Sequence, residues 1–134
     1  MVDRTRERLT NLRNGLLRLH KCLLDSEKAA YERDVARITS TGQYLELVLN
    51  DPWFAWLHDL SRFIVLIDET LDFKEDPATA EGADKLIARA RELVSPSETA
   101  PAANGFHRKY FEAMQRDPGV VLAHRDMVRV FETL

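Results

Sequence analysis

Four histidines, His20, His58, His107 and His124, are the side chains of this chain best suited to hold a metal or move a proton near neutral pH. Read at helical spacing, His20 falls between Leu16 and Leu23, with Glu27 and Asp34 following on the same face at seven-residue intervals. His124 sits amid Val120, Val121, Val128 and Phe131, and His107 among Phe106, Tyr110 and Phe111. Three of the four therefore point to the apolar side of their helices, and His58 points away. One reading is a polar pocket lined by His20, Glu27, His107 and His124, able to take a small ligand, a single metal ion or an acid–base pair. The other is a set of half-buried histidines bonded to carboxylates or carbonyls, because buried polar groups need partners whatever their purpose.

More specific motifs are missing. No glycine-rich phosphate loop, Gly-x-Ser-x-Gly turn or His-Glu-x-x-His sequence occurs. A carboxylate-bridged di-iron bundle needs Glu-x-x-His pairs, and no glutamate here has a histidine three residues later. Cys22 is the single cysteine, which excludes an intrachain disulfide and reads as a small helix residue beside Leu23 and Leu24. No metal or other cofactor and no catalytic residue is expected.

The elements that position these residues follow from periodicity and from three Asp-Pro pairs, at Asp51-Pro52, Asp76-Pro77 and Asp117-Pro118. Aspartate accepts from the free N–H groups of a first helical turn, and proline fits the position after it. The pattern predicts a first helix over 3–38, with Leu9, Leu12, Leu16, Leu23, Ala30, Tyr31 and Ile38 on one broad face and Gly15 as a weak point. A short helix is expected over 43–49. A third, over 52–73, carries Trp53, Trp56, Leu57, Leu60, Ile64, Ile67 and Leu71 as a continuous stripe; it is the expected spine, antiparallel to the first. Further helices are predicted over 77–94, from an Asn104 cap, and from Pro118 to the end, with a mobile loop over 95–104. The fold class is all-α: an irregular bundle of five to six helices in a single domain, 1–134.

Length and composition agree. The chain has 134 residues, 45% of them hydrophobic, enough for one core. Net charge is −3, which gives no general attraction to nucleic acid or anionic membrane. Residues 1–21 hold six basic groups against Asp3 and Glu7, a local +4, and the remaining 13 basic and 20 acidic groups give −7. Such a run reads as a solvated helix face, or more sharply as a contact for an acidic partner. No signal peptide is visible and no apolar run approaches the ~20 residues of a membrane span, so a cytoplasmic location is the default.

Three segments carry a resemblance: Leu16 to Glu27 (LLRLHKCLLDSE), Asp51 to His58 (DPWFAWLH) and Phe63 to Glu69 (FIVLIDE). Together they are similar to an uncharacterised family of small bacterial all-helical proteins, over the first half of the chain. The resemblance implies a helical fold and a bacterial cytoplasmic origin, and it transfers no functional residue. The leading expectation is a non-catalytic interaction or regulatory module that self-associates, because helix 1 has an apolar face wider than one partner helix covers. The alternative is a small-molecule or metal-binding bundle with its pocket around His20, Glu27 and His124.

Overall fold

A computed structural model describes residues 2–72, 79–99 and 105–134. Within them the chain forms α1 (Val2–Asp34), α2 (Thr41–Asn50), a 3₁₀ turn (Ala55–Leu57), α3 (His58–Asp72), α4 (Ala80–Leu93), α5 (Phe106–Arg116) and α6 (Pro118–Thr133), with no strand. The expected all-α class holds. The predicted helix end at Phe73, the start at Pro77, the Asp76-Pro77 pair and the Asn104 cap lie outside the described residues.

The spine is α1 rather than α3. Leu9, Leu12, Leu16, Leu19 and Leu23 are all buried, and α1 is in contact with α3, α4, α5 and α6. Its wide apolar face is thus covered by four helices of the same chain. Residue spacing makes α3 antiparallel to it, as expected, since Arg13 pairs with Asp68 and Arg6 Nη1 donates to the Leu71 carbonyl at 2.8 Å. α6 is also antiparallel: Cys22 lies against Gly119 and Gly15 against Met127. At Gly15 the side chains of α6 come close to the α1 backbone. A Cβ there would stand 2.9 Å from Met127 Sδ, so the helix-propensity cost of glycine is exchanged for close packing.

Two predicted boundaries fail for physical reasons. Helix 1 ends at Asp34, not Ile38, because nothing beyond Tyr31 finds a place to be buried; Val35 is 56% exposed. The Tyr31 carbonyl accepts from both Val35 and Ala36, and the Ile38 N–H turns to the Glu32 carboxylate. Without burial, a helix depends on local propensity, and Val, Ile and Thr supply little of it. The third helix starts at His58, not Pro52. Asp51 Oδ1 does accept from the Trp53 N–H at 2.9 Å, but the chain makes a turn and one round of 3₁₀ before α3. The reason is aromatic packing. Trp53 meets Tyr31 edge-on at 5.7 Å, Phe54 fits between Tyr31 and Tyr44, and Trp56 lies on Phe106 at 5.5 Å. A regular helix would project Trp53 and Trp56 to one shared side. The burial gained by seating them against different neighbours outweighs one turn of helix. Among the described residues both buried indole N–H groups have no acceptor, at a cost of about 1–3 kcal/mol each that ring burial offsets.

The other boundaries are locally capped. Ser40 Oγ accepts from Gln43, Thr79 Oγ1 from Gly82 and Asp117 Oδ1 from Gly119, the last with Pro118 in the first turn as predicted. Gly105 enters α5 with φ of 72°, a left-handed conformation that glycine takes without strain.

The basic N-terminal stretch is solvated in part: Arg4, Arg18 and Lys21 are exposed, while Arg6, Arg8 and Arg13 reach neighbouring helices. Arg6 and Arg8 donate to the Leu71 and Leu134 carbonyls, at the C-terminal ends of α3 and α6, and Arg8 also pairs with Asp84 of α4 at 3.0 Å. Those helix ends carry unsatisfied carbonyls and a partial negative charge, so guanidinium groups are well placed there. Arg91 does the same from α4 to the Phe131 carbonyl. Among the described residues, no helix is long and apolar enough to cross a membrane.

Candidate functional site

The residues singled out by sequence are distributed over α1, α5 and α6; Glu27, His107 and His124 each have a separate partner, and His20 has none among the described residues. Glu27, 6% exposed, accepts from Arg116 Nη2 at 2.8 Å, and the same nitrogen reaches Ser26 Oγ at 3.1 Å. His124 Nδ1 lies 2.7 Å from the Tyr110 hydroxyl, with the two rings edge-to-face. His107 Nδ1 lies 2.8 Å from the Ser95 carbonyl. His20 is half-buried and has no hydrogen bond among the described residues. His58, expected on the wet side, places Nε2 2.9 Å from the Val48 carbonyl. No hydrogen bond or ion pair joins any two of His20, Glu27, His107 and His124. No group of three His, Cys, Asp or Glu side chains among the described residues is arranged to hold a metal ion.

Protonation states follow from burial. Tyr110 is fully buried, and burial, with the Cys22 thiol adding, raises its phenol far above the ordinary range. It therefore keeps its proton, and since His124 Nδ1 is its one acceptor among the described residues, it donates there, the arrangement of a neutral His124 ring protonated on Nε2. Burial lowers both His124 and His20 from the ordinary value of 6.5, since it penalises the imidazolium form. The Cys22 thiol moves up, first through burial and then through Asp117 and Asp25, so it stays protonated and a poor nucleophile.

A pH dependence follows. The unfolded chain binds protons at these histidines near pH 6.5, whereas the folded chain holds them only at lower pH. Their contribution to stability is complete above the unfolded value and is lost as pH falls toward the folded one. The urea midpoint should therefore drop between about pH 7.5 and about pH 5.5, and a His20→Leu/His124→Gln variant should show a shallower drop. The Gln retains an acceptor for Tyr110. An identical slope in the variant would show that other groups set the dependence.

Among the described residues, an opening lies between α3, α4 and the start of α5. It is a cavity of about 420 Å³. Its polar lining is Asp59 and Arg62 from α3, Arg89 and Glu92 from α4, and His107 from α5. Phe63, Leu66 and Leu93 supply an apolar wall. Of the four candidate residues, His107 is the one that lines it. The α3 and α4 residues carried no signal in the sequence, since charges three residues apart on an exposed helix face are ordinary. Their opposition across the gap is a tertiary fact. A site of this kind can bind and orient a small polar molecule; it holds no nucleophile backed by a base.

Comparison with protein-family models, with curated proteins and with solved structures gives no match for this chain.

Proposed function

We propose that this chain is a non-catalytic helical interaction module that self-associates through the outer face of α2. The observation that carries the reading is that α2 contains Tyr44, Leu45, Leu47, Val48 and Leu49 within ten residues, yet buries none of its residues. Leu45 and Leu49, one turn apart, are 55% and 67% exposed. An isolated ten-residue helix is marginal in water, and a helix with an apolar face normally buries it. Here α2 is held by Tyr44, whose ring meets Phe54 and lies under the Lys28 ammonium, by the half-buried Leu47 and Val48, and by the Val48 carbonyl, which lies 2.9 Å from His58 Nε2. Other exposed apolar residues, such as Val65 on α3 and Val121 on α6, belong to helices that bury a full face, and they need no partner.

The expected width of helix 1 no longer supports self-association, because its own chain covers it. The argument passes to α2. A two-fold pairing of α2 with its copy sets Leu45 and Leu49 against the same residues of the partner. Sedimentation of the full chain should show a concentration-dependent dimer. Leu45→Glu/Leu49→Glu should weaken it by about 100-fold or more and leave the melting temperature of the monomer unchanged. A wild-type chain that stays monomeric at high concentration, or a dimer indifferent to both substitutions, overturns the reading.

A further inference from the structure

The cavity between α3, α4 and α5 is separate from α2 and has an unusual balance of groups. We infer that it binds a small zwitterion of amino-acid size, its carboxylate on the arginines and its ammonium on the acids and His107. Four charges line the cavity in equal numbers, Arg62 and Arg89 against Asp59 and Glu92. Each arginine has an acid three residues away on its own helix, a spacing at which such pairs commonly close. Arg4 and Glu7 show that pairing in this chain, at 3.8 Å. Neither cavity pair closes, and none of the four forms an ion pair or hydrogen bond among the described residues.

Arg89 instead crosses toward α3, where its guanidinium lies over the Phe63 ring at 5.4 Å. A guanidinium laid on an aromatic face keeps its N–H edge free, and that edge matches a carboxylate in a two-pronged contact. On the third side, the Ser95 carbonyl can only accept, so His107 donates from Nδ1, the imidazole tautomer whose Nε2 carries a lone pair. Asp59, Glu92 and that nitrogen are three acceptor groups, one for each proton of an ammonium group. A simple anion would leave the two carboxylates unmatched, and a simple cation the two guanidinium groups. A zwitterion engages both sets, with its side chain toward Leu66 and Leu93. The volume of about 420 Å³ falls at the small end of known ligand pockets.

The test is an amide-shift NMR titration of the full chain with L-leucine, N-acetyl-L-leucine and L-leucinamide as probes. L-leucine should give saturable shifts confined to α3, α4 and the start of α5. Blocking either end of the probe should weaken binding by about tenfold or more, and Arg89→Leu should weaken L-leucine by about 10- to 100-fold. Glu92→Gln, a milder surface change, should weaken L-leucine and leave the binding of L-leucinamide no stronger. Arg129→Gln, exposed on α6, should change nothing. Absence of saturable shifts, equal affinity for the blocked probes, or an affinity unchanged by Arg89→Leu would each overturn the assignment.

Discussion

Phe54→Ala is expected to lower the unfolding free energy by about 3–5 kcal/mol and to free α2 before the remaining helices unfold. Phe54 has no exposed surface. Its ring lies 5.8 Å from Tyr31 of α1 and 6.1 Å from Tyr44 of α2, so it is the apolar link between the longest helix and the least buried one. Besides that ring, Tyr44 contributes a long hydrogen bond of 3.5 Å to the Leu24 carbonyl and the Lys28 contact at 5.0 Å, both weak. Removing the phenyl group leaves a cavity that α2, with no buried residue, has nothing to fill with. A domain of this size has a total stability of about 5–15 kcal/mol, so the loss is a large share of it. Phe54→Leu, which keeps most of the volume, should cost less than half as much. Urea unfolding gives the total, and hydrogen exchange locates it: protection in α2 should vanish in Phe54→Ala while the centre of α1 stays protected. Equal loss across α1 and α2 would mean that α2 is tied down by contacts other than this ring.

The same ring shows what the sequence could and could not reveal. Periodicity gives the helix class and most of the core, because Leu9, Leu12, Leu16 and Leu23 recur at helical spacing and are all buried. Asp117-Pro118 is read correctly because its chemistry is local: an oxygen acceptor and a missing N–H within the same turn. Asp51-Pro52 has the same local chemistry and is misread, since the outcome there depends on where Tyr31, Tyr44 and Phe106 stand in space. Arg6 and Arg8 of α1 are misread for a related reason. A guanidinium on a helix surface looks solvated until the carbonyl ends of α3 and α6 are brought beside it. The candidate site splits along that line. Helical phase places His20, Glu27 and His124 on inward faces correctly, but phase along one helix carries no information about which faces meet. The groups lining the cavity are ordinary surface charges in sequence, and become a set only when α3 and α4 lie side by side on α1.

Arg116→Met is expected to be the most damaging single change outside the apolar core, costing about 3–5 kcal/mol, with Glu27→Met costing distinctly less. The asymmetry comes from exposure. The Glu27 side chain is 8% exposed and the Arg116 side chain 28%. Without Arg116, a nearly buried carboxylate loses the one charge-assisted bond it makes among the described residues, and Ser26 loses its donor as well. Without Glu27, the guanidinium can swing its exposed edge into solvent and still reach Ser26. Removing both charges leaves neither stranded, so Glu27→Met/Arg116→Met should recover most of what Arg116→Met loses. The double-mutant cycle should therefore give a coupling of about 3–5 kcal/mol, close to the whole cost of Arg116→Met. Urea unfolding of the four proteins measures it. The result also decides what Glu27 is for. A carboxylate held for packing and pairing is destabilising to lose, whereas one kept in place for chemistry is commonly held at the expense of stability, and its removal makes the fold more stable. A rise in stability for Glu27→Met alone would return Glu27 to the list of functional groups. A fall, with recovery in the double variant, assigns it to joining α1 to the end of α5.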